Sequence, residues 1–289
     1  MFECQTTNQE SVQTVQKAAA RFDPRRIYTV LVVAPLLYGT IQFLPAFAFT
    51  CLVAAAGNLA LFELYRLLFQ PSSRRLAVAI GLAGCTALIL APHHPMMVQP
   101  ILLIALIAVL SIPLLNRVPL QHSFNHSAVI VMGMCYVGLG LSYLVQTRLQ
   151  PKGEWLVFFL LLVTWAGDTG AYYVGTRFGQ RALAPRISPR KTVEGLIGGL
   201  LSAIIIAYLA RWWFLPTLSG VDCAIVAFLL TLLGMWGDLA ESALKRSAGA
   251  KDSGGILPGH GGMLDRLDSL LFTAPAFYYY VTSIRGFAS

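Results

Sequence analysis

The sequence predicts an all-α fold, a polytopic transmembrane helical bundle of about nine spans by the length a bilayer core demands, with an active-site cavity facing the cytoplasm. Three observations predict it. Hydrophobic residues make up 56% and charged residues 12% of the 289, and mean hydropathy is +0.67, whereas an ordinary soluble domain is about 25% charged. The apolar residues gather into runs near the roughly 20 that span a bilayer. The 21 Lys and Arg, set against 13 Asp and Glu, crowd into alternate loops. This composition excludes a disordered chain. The net charge of +8 is then read as basic loops facing anionic lipid, not as a nucleic-acid surface.

Residues 1–26 are polar, carry Lys17, Arg21, Arg25 and Arg26, and lack a small-residue cleavage site behind a short apolar core, so a cleaved signal peptide is not expected. They read as a polar cytoplasmic segment, and residues 27–289 as a single transmembrane domain. The spans follow as Ile27 to Leu44, Ala46 to Leu68, Leu76 to Leu90, Met97 to Leu115, Ala128 to Thr147, Trp155 to Val174, Leu196 to Phe214, Val221 to Leu244 and Leu267 to Ile284. A tight turn at Leu44-Pro45 separates the first two. With the amino terminus inside, 17 of the 21 basic residues fall on the cytoplasmic side, which fixes the orientation and puts the carboxyl terminus outside. Trp155, Trp212, Trp213 and Tyr278 to Tyr280 then form an aromatic belt at the outer interface. The five cysteines make no CxxC pair, and those in the apolar runs read as small buried hydrophobes.

Carboxylates inside spans cost several kcal/mol unless paired, hydrated or metal-bound, so each is a functional candidate. Glu63, Asp168, Asp238 and Glu241 stand out, all toward the cytoplasmic ends of their spans, and Asp265 and Asp268 open the last span from that side. Glu63 lies three residues before Arg66, a spacing that suits an ion pair holding the bundle as well as it suits function. Glycines flank Asp168, admitting a neighbouring backbone or a ligand. Glu241 follows Asp238 on the same face, as a further ligand or as a partner that holds one.

The richest segment runs from Gly237 to Asp268: Asp238, Glu241, Ser242, Lys245, Arg246, then Lys251-Asp252, then Gly254-Gly255-Ile256-Leu257-Pro258-Gly259-His260-Gly261-Gly262, and Asp265-Arg266-Leu267-Asp268. Hard carboxylate oxygens prefer a magnesium-like ion that bridges phosphates, and Asp265 and Asp268 share a helix face. A glycine-rich loop entering a helix offers N–H groups to anions, while Lys245, Arg246, Lys251 and Arg266 add cations. A second cluster, Ser188-Pro189-Arg190-Lys191-Thr192-Val193-Glu194-Gly195, reads either as a positive-inside loop with Ser188 or Thr192 capping the next helix or as a phosphate site.

At these residues the chain resembles the CDP-diacylglycerol synthase (phosphatidate cytidylyltransferase) family. Its spaced signature is filled by Ser242, Lys245, Arg246, Lys251, Asp252, Gly254, Pro258, His260, Gly261, Gly262, Asp265, Arg266 and Asp268, and the segments around Asp168 and Ser188 to Gly195 also look like that family. Val193 departs from it, standing where bacterial relatives usually carry an aromatic residue. The resemblance implies transfer from CTP to phosphatidate in phospholipid biosynthesis, giving CDP-diacylglycerol and diphosphate. It implies Mg²⁺ held by Asp238, Asp265 and Asp268, with Asp168 assisting, and suggests a second cation such as K⁺. Lys245, Arg246, Lys251, Arg190 and Lys191 would hold phosphates, with Ser188, Thr192, Gly261, Gly262 and Arg266 at the substrates and His260 a proton donor or a structural hydrogen-bonder. A homodimer in a bacterial-type inner membrane is also implied. Two other classes remain open. A CTP-dependent lipid kinase, or a cytidylyltransferase for a related lipid phosphate, would use the same cavity. A transporter would place its carboxylates near the midplane.

Overall fold

The protein, seen in a computed structural model, is described over residues 35–69, 74–115, 120–250, 253–254 and 262–284. The chain divides into two compact units, Met1–Phe43 and Leu44–Ser289. Of the first, residues 35–43 are described and helical, so the expected Ile27 to Leu44 span is seen as helix from residue 35 on, and its residues 27–34 lie outside the described residues.

In the second unit Pro45 precedes α1 (Ala46–Leu68) with an extended backbone, as expected of a residue that fixes its own φ and supplies no N–H donor. The buried side of α1 recurs at helical spacing through Phe49, Val53, Gly57, Ala60, Leu61, Leu64 and Tyr65. The Tyr65 hydroxyl donates to the Ile130 carbonyl at 2.6 Å. Next come α2 (Arg74–Leu90), α3 (Val98–Leu115) and α4 (Leu120–Met134). A π-helical turn, Cys135–Leu139, joins α4 to α5 (Gly140–Arg148). After α6 (Gly153–Phe178) come two short strands, then α7 (Val193–Trp213), α8 (Gly220–Ser247) and α9 (Leu264–Tyr279), which ends in a second π turn, Tyr280–Ile284.

Among the described residues, five helical stretches are long and apolar enough to cross a membrane: Ala46–Leu68, Phe124–Arg148, Gly153–Phe178, Val193–Trp213 and Gly220–Ser247. Each matches an expected span. Val78–His93 and Val98–Ser111 are shorter apolar helices, and the expected last span is divided between α9 and its π turn. Large apolar side chains are exposed along the outside, among them Leu103, Ile104, Ile107 and Leu110 on α3 and Ile197, Leu201 and Ile205 on α7. A water-soluble bundle would bury such stripes, whereas lipid makes them favourable. The chain is therefore an integral membrane protein. The same reversal corrects the cysteine reading at Cys51, which is exposed while Cys85 and Cys223 are buried. Trp212 and Trp213 are both strongly exposed, as a belt requires. The belt expectation fails for Tyr280, which is buried and donates to Asp222 Oδ1 at 2.7 Å.

Two contacts position the site. The helices α6 and α7 approach along facing small residues: a Cβ on Gly199 would meet the Gly167 carbonyl oxygen at 2.7 Å, and one on Gly170 would strike Ser202. The glycines around Asp168 thus admit a neighbouring helix. Likewise Gly237 on α8 lies against the Asp268 carbonyl of α9, where any side chain would collide.

The all-α fold carries one short insertion among the described residues. Between α6 and α7 lies an antiparallel hairpin, β1 (Ala182–Ala184) with β2 (Ser188–Thr192), pairing Ala182 with Thr192 and Ala184 with Ser188. Pro185 follows Ala184, whose carbonyl accepts the Ile187 N–H at 3.1 Å, the arrangement of a β-turn with proline in its second position. With Pro189 close behind, a helix here would lack two donors. Ser188 therefore sits in a strand, and Thr192 alone caps α7, its hydroxyl accepting the Gly195 N–H at 3.1 Å. Glu194 locks the hairpin base by accepting the N–H groups of Gln180 at 3.0 Å and Arg181 at 3.2 Å.

Candidate active site

The late part of α8 places Asp238, Glu241 and Lys245 on one face, because steps of three and four residues return to the same side of a helix. The close approach at Gly237 brings the first turns of α9 against that face. One ligand oxygen each from Asp238, Glu241 and Asp268 lies within 4.8 Å of the others. Asp268 is nearly buried and Glu241 is buried, whereas the Asp238 side chain is 41% exposed, so the cluster opens on Asp238. Asp168 on α6 is an electrostatic neighbour of Asp238 and Lys191, and Asp268 has Asp238, Asp168 and Lys191 as its own.

Two lysines face these acids. Lys191 reaches from β2 to Asp238 Oδ2 at 2.7 Å and to the Met235 carbonyl at 3.4 Å. Lys245 lies between Glu241 Oε2 and Asp265 Oδ1, at 2.6 Å from each. The other Asp265 oxygen accepts the Gly262 N–H at 3.1 Å. Asp268 Oδ1 accepts the N–H of Ser269 at 2.6 Å, and Ser242 donates to Asp238 Oδ1 at 3.4 Å.

This arrangement brings together Asp168, Asp238, Asp265, Asp268, Lys191 and Lys245, drawn from helices and a hairpin far apart in sequence. Arg190 stands on the exposed side of β2. Arg246 donates to the Ala250 carbonyl at 3.5 Å on the exposed end of α8, and Arg266 is exposed on the first turn of α9. His260, Lys251, Asp252 and Gly261 lie outside the described residues, while Gly262 is buried.

The expected trio Asp238, Asp265 and Asp268 differs from the geometric one, in which Glu241 joins Asp238 and Asp268 and Asp265 pairs with Lys245. Glu241 Oε1 is buried without a hydrogen-bond partner among the described residues. A buried carboxylate oxygen left unmatched is costly, and a hard divalent cation would satisfy it, so this donor set fits Mg²⁺. The i, i+3 spacing from Asp238 was the available signal for Glu241. Glu63 also departs from expectation. Its Oε2 accepts the Leu264 N–H at 2.9 Å and its Oε1 has no partner among the described residues, while Arg66 is exposed, so the helix-face ion pair is not formed.

Residues 24–284 match the cytidylyltransferase family. The chain is 36% identical over 257 residues to the phosphatidate cytidylyltransferase of Bacillus subtilis, covering 86% of this chain and 94% of that protein. It is 40% identical over 231 residues to the enzyme of the same name from Staphylococcus aureus, covering 78% of this chain and 87% of that protein. The Staphylococcus epidermidis enzyme of that name is 38% identical over 256 residues.

Proposed function

The chain belongs to the cytidylyltransferase family, and from that premise we propose that it converts CTP and phosphatidate into CDP-diacylglycerol and diphosphate for phospholipid synthesis. The observation that carries the reading is the junction of α8, α9 and β2, where carboxylates and two lysines converge on one half-open face. Both substrates are anions, and a phosphomonoester is already largely dianionic near neutral pH, its second pKa being about 6. A phosphatidate oxygen attacks the α-phosphorus of CTP, and the bond to the β-phosphate oxygen breaks to release diphosphate. No protein nucleophile is needed. The barrier lies in bringing two anions together in line, so positioning and charge neutralisation do most of the work.

Asp238, Glu241 and Asp268 would hold Mg²⁺, which would supply positive charge to neutralise the phosphates. Lys191, on the open side of the cluster, exchanges its contact with Asp238 for a substrate phosphate. Lys245 keeps Asp265 and Glu241 in register and offers its remaining donor to phosphate. Arg190, Arg246, Lys251 and Arg266 add cationic partners, and Asp168 orients Lys191. The active-site mouth faces the cytoplasm of a bacterial inner membrane, which the basic-residue bias supports, and the chain works as a homodimer with K⁺ as second cation, as its family suggests.

Purified protein given labelled CTP, Mg²⁺ and a panel of lipid phosphates tests the reaction. Expected are CDP-diacylglycerol and diphosphate from phosphatidate, lost on chelation of divalent ions. Release of CDP would identify a γ-phosphoryl transfer instead, and preference for another lipid phosphate would reassign the acceptor. Reporter fusions at the two termini check the orientation; both termini in one compartment would overturn it.

A further inference from the structure

Glu63 is a buried carboxylate on α1 that makes no ion pair among the described residues. A lone buried charge is expensive, so its surroundings matter. Its Oε2 accepts the Leu264 N–H, the first N–H of α9, across 201 residues of sequence. Met263, the residue before α9, supplies no side-chain cap. The carboxylate thus takes the place of a cap, and the positive end of the helix dipole stabilises its charge.

Both described flanks of the glycine-rich loop meet at the same carboxyl group. A Cβ on Gly254 would lie 3.2 Å from Glu63 Oε1, and one on Gly262 would lie 2.7 Å from Oε2 and would strike the Ser253 hydroxyl. These two glycines leave room for Glu63. Asp265 follows Leu264 directly and is itself tied to the Gly262 N–H, and Asp268 stands one turn further along α9.

We infer that Glu63 is a positioning residue for the transfer: from α1 it holds the amino terminus of α9 and the two flanks of the glycine-rich loop at one point, and so sets where Asp265 and Asp268 stand. The inference rests on the cytidylyltransferase reading for its kinetic consequence but not for its geometry. An oxygen acceptor at this reach is what matters, and the negative charge is secondary.

Three full-length variants in mixed micelles test it. Glu63→Gln keeps an oxygen at the same distance and should stay within about threefold of wild-type kcat. Glu63→Leu removes the acceptor and should lose at least about tenfold, more in kcat than in KM for CTP, because the α9 carboxylates act on charge developing in the transition state. Glu63→Asp retracts the acceptor by roughly 1.5 Å and should fall between them, which keeps the test decisive if the Leu variant does not accumulate. Wild-type kcat in folded Glu63→Leu or Glu63→Asp would overturn the inference, as would a Gln variant as impaired as Leu. If the wild type forms no CDP-diacylglycerol, the reaction reading fails on its own. Amide exchange at Leu264 then decides the positioning claim, since protection must persist in Glu63→Gln and fall in Glu63→Leu; unchanged protection in the Leu variant overturns it.

Discussion

α8 carries carboxylates at both ends and treats them differently. At its start, Asp222 is buried and fully engaged: Oδ2 accepts the Ser219 N–H at 2.7 Å, the Asp222 N–H donates to the Ser219 hydroxyl at 3.2 Å, and Oδ1 accepts from Tyr280. About 24 Å further along the axis, Asp238 and Glu241 share a crowded space with Asp268, and one Glu241 oxygen has no hydrogen-bond partner among the described residues. The first end is a closed capping box joined to a neighbouring tyrosine, a structural use of a carboxylate. The second holds more negative charge than its protein partners satisfy. Burial of a carboxylate therefore does not mark function by itself, but unsatisfied valence does.

Substitutions at the two ends should separate turnover from stability. The largest effect is expected for Asp238→Asn, which should lower the rate of diphosphate release by about a thousandfold, ~4 kcal/mol of barrier, while the folded protein remains extractable. Asp265→Asn should fall nearly as far, because Lys245 loses its charged partner across the α8–α9 junction. Near wild-type activity in either variant at low Mg²⁺ would break the assignment of the acids.

An intermediate effect is expected when the charge at position 191 is moved within its loop by Lys191→Gln with Gln180→Lys. The loop keeps its net charge, so insertion should be normal, yet kcat/KM should drop at least about tenfold, roughly 1.4 kcal/mol. Wild-type kinetics in correctly inserted protein would reduce the hairpin lysine to a topology signal. The smallest effect belongs to the other end of α8. Tyr280→Phe removes one hydrogen bond to a buried carboxylate and should cost about 1–3 kcal/mol of stability, read as a lowered thermal midpoint, with turnover of the folded enzyme within about twofold. A tenfold loss of turnover there would dissolve the contrast between the ends.

The sequence makes the long spans legible because a bilayer demands length and apolarity in one stretch, and a run such as Ala46 to Leu68 satisfies both at once. It exposes Asp238 and Asp268 for the complementary reason, that acids are costly in such runs. Thr192 as a cap is equally local. What escapes is whatever depends on pairing between distant segments. Asp265 and Glu241 carry the same charge in sequence and both meet the Lys245 ammonium in space, and only the nearness of Glu241 to Asp238 and Asp268 assigns it to the acid cluster. Glu63 has a plausible partner three residues away and an actual one 201 residues away. The hairpin escapes because a polar loop before an apolar run also suits a direct lead into a helix, and only Pro185 and Pro189 point locally to extended backbone.

The π turn at Cys135–Leu139 resets the helical phase between α4 and α5. In a regular α-helix each residue turns the chain by about 100°, so one added residue rotates everything beyond it by that amount. Before the turn the helix packs on α2 and α3; beyond it α5 packs on α9. One membrane-crossing helix thus shows two stripes in different directions, one to the early bundle and one to the helix that bears Asp265 and Asp268. Deleting a single residue from Cys135 to Leu139 would make the backbone more regular and the protein worse, because the α5 stripe would swing away from α9.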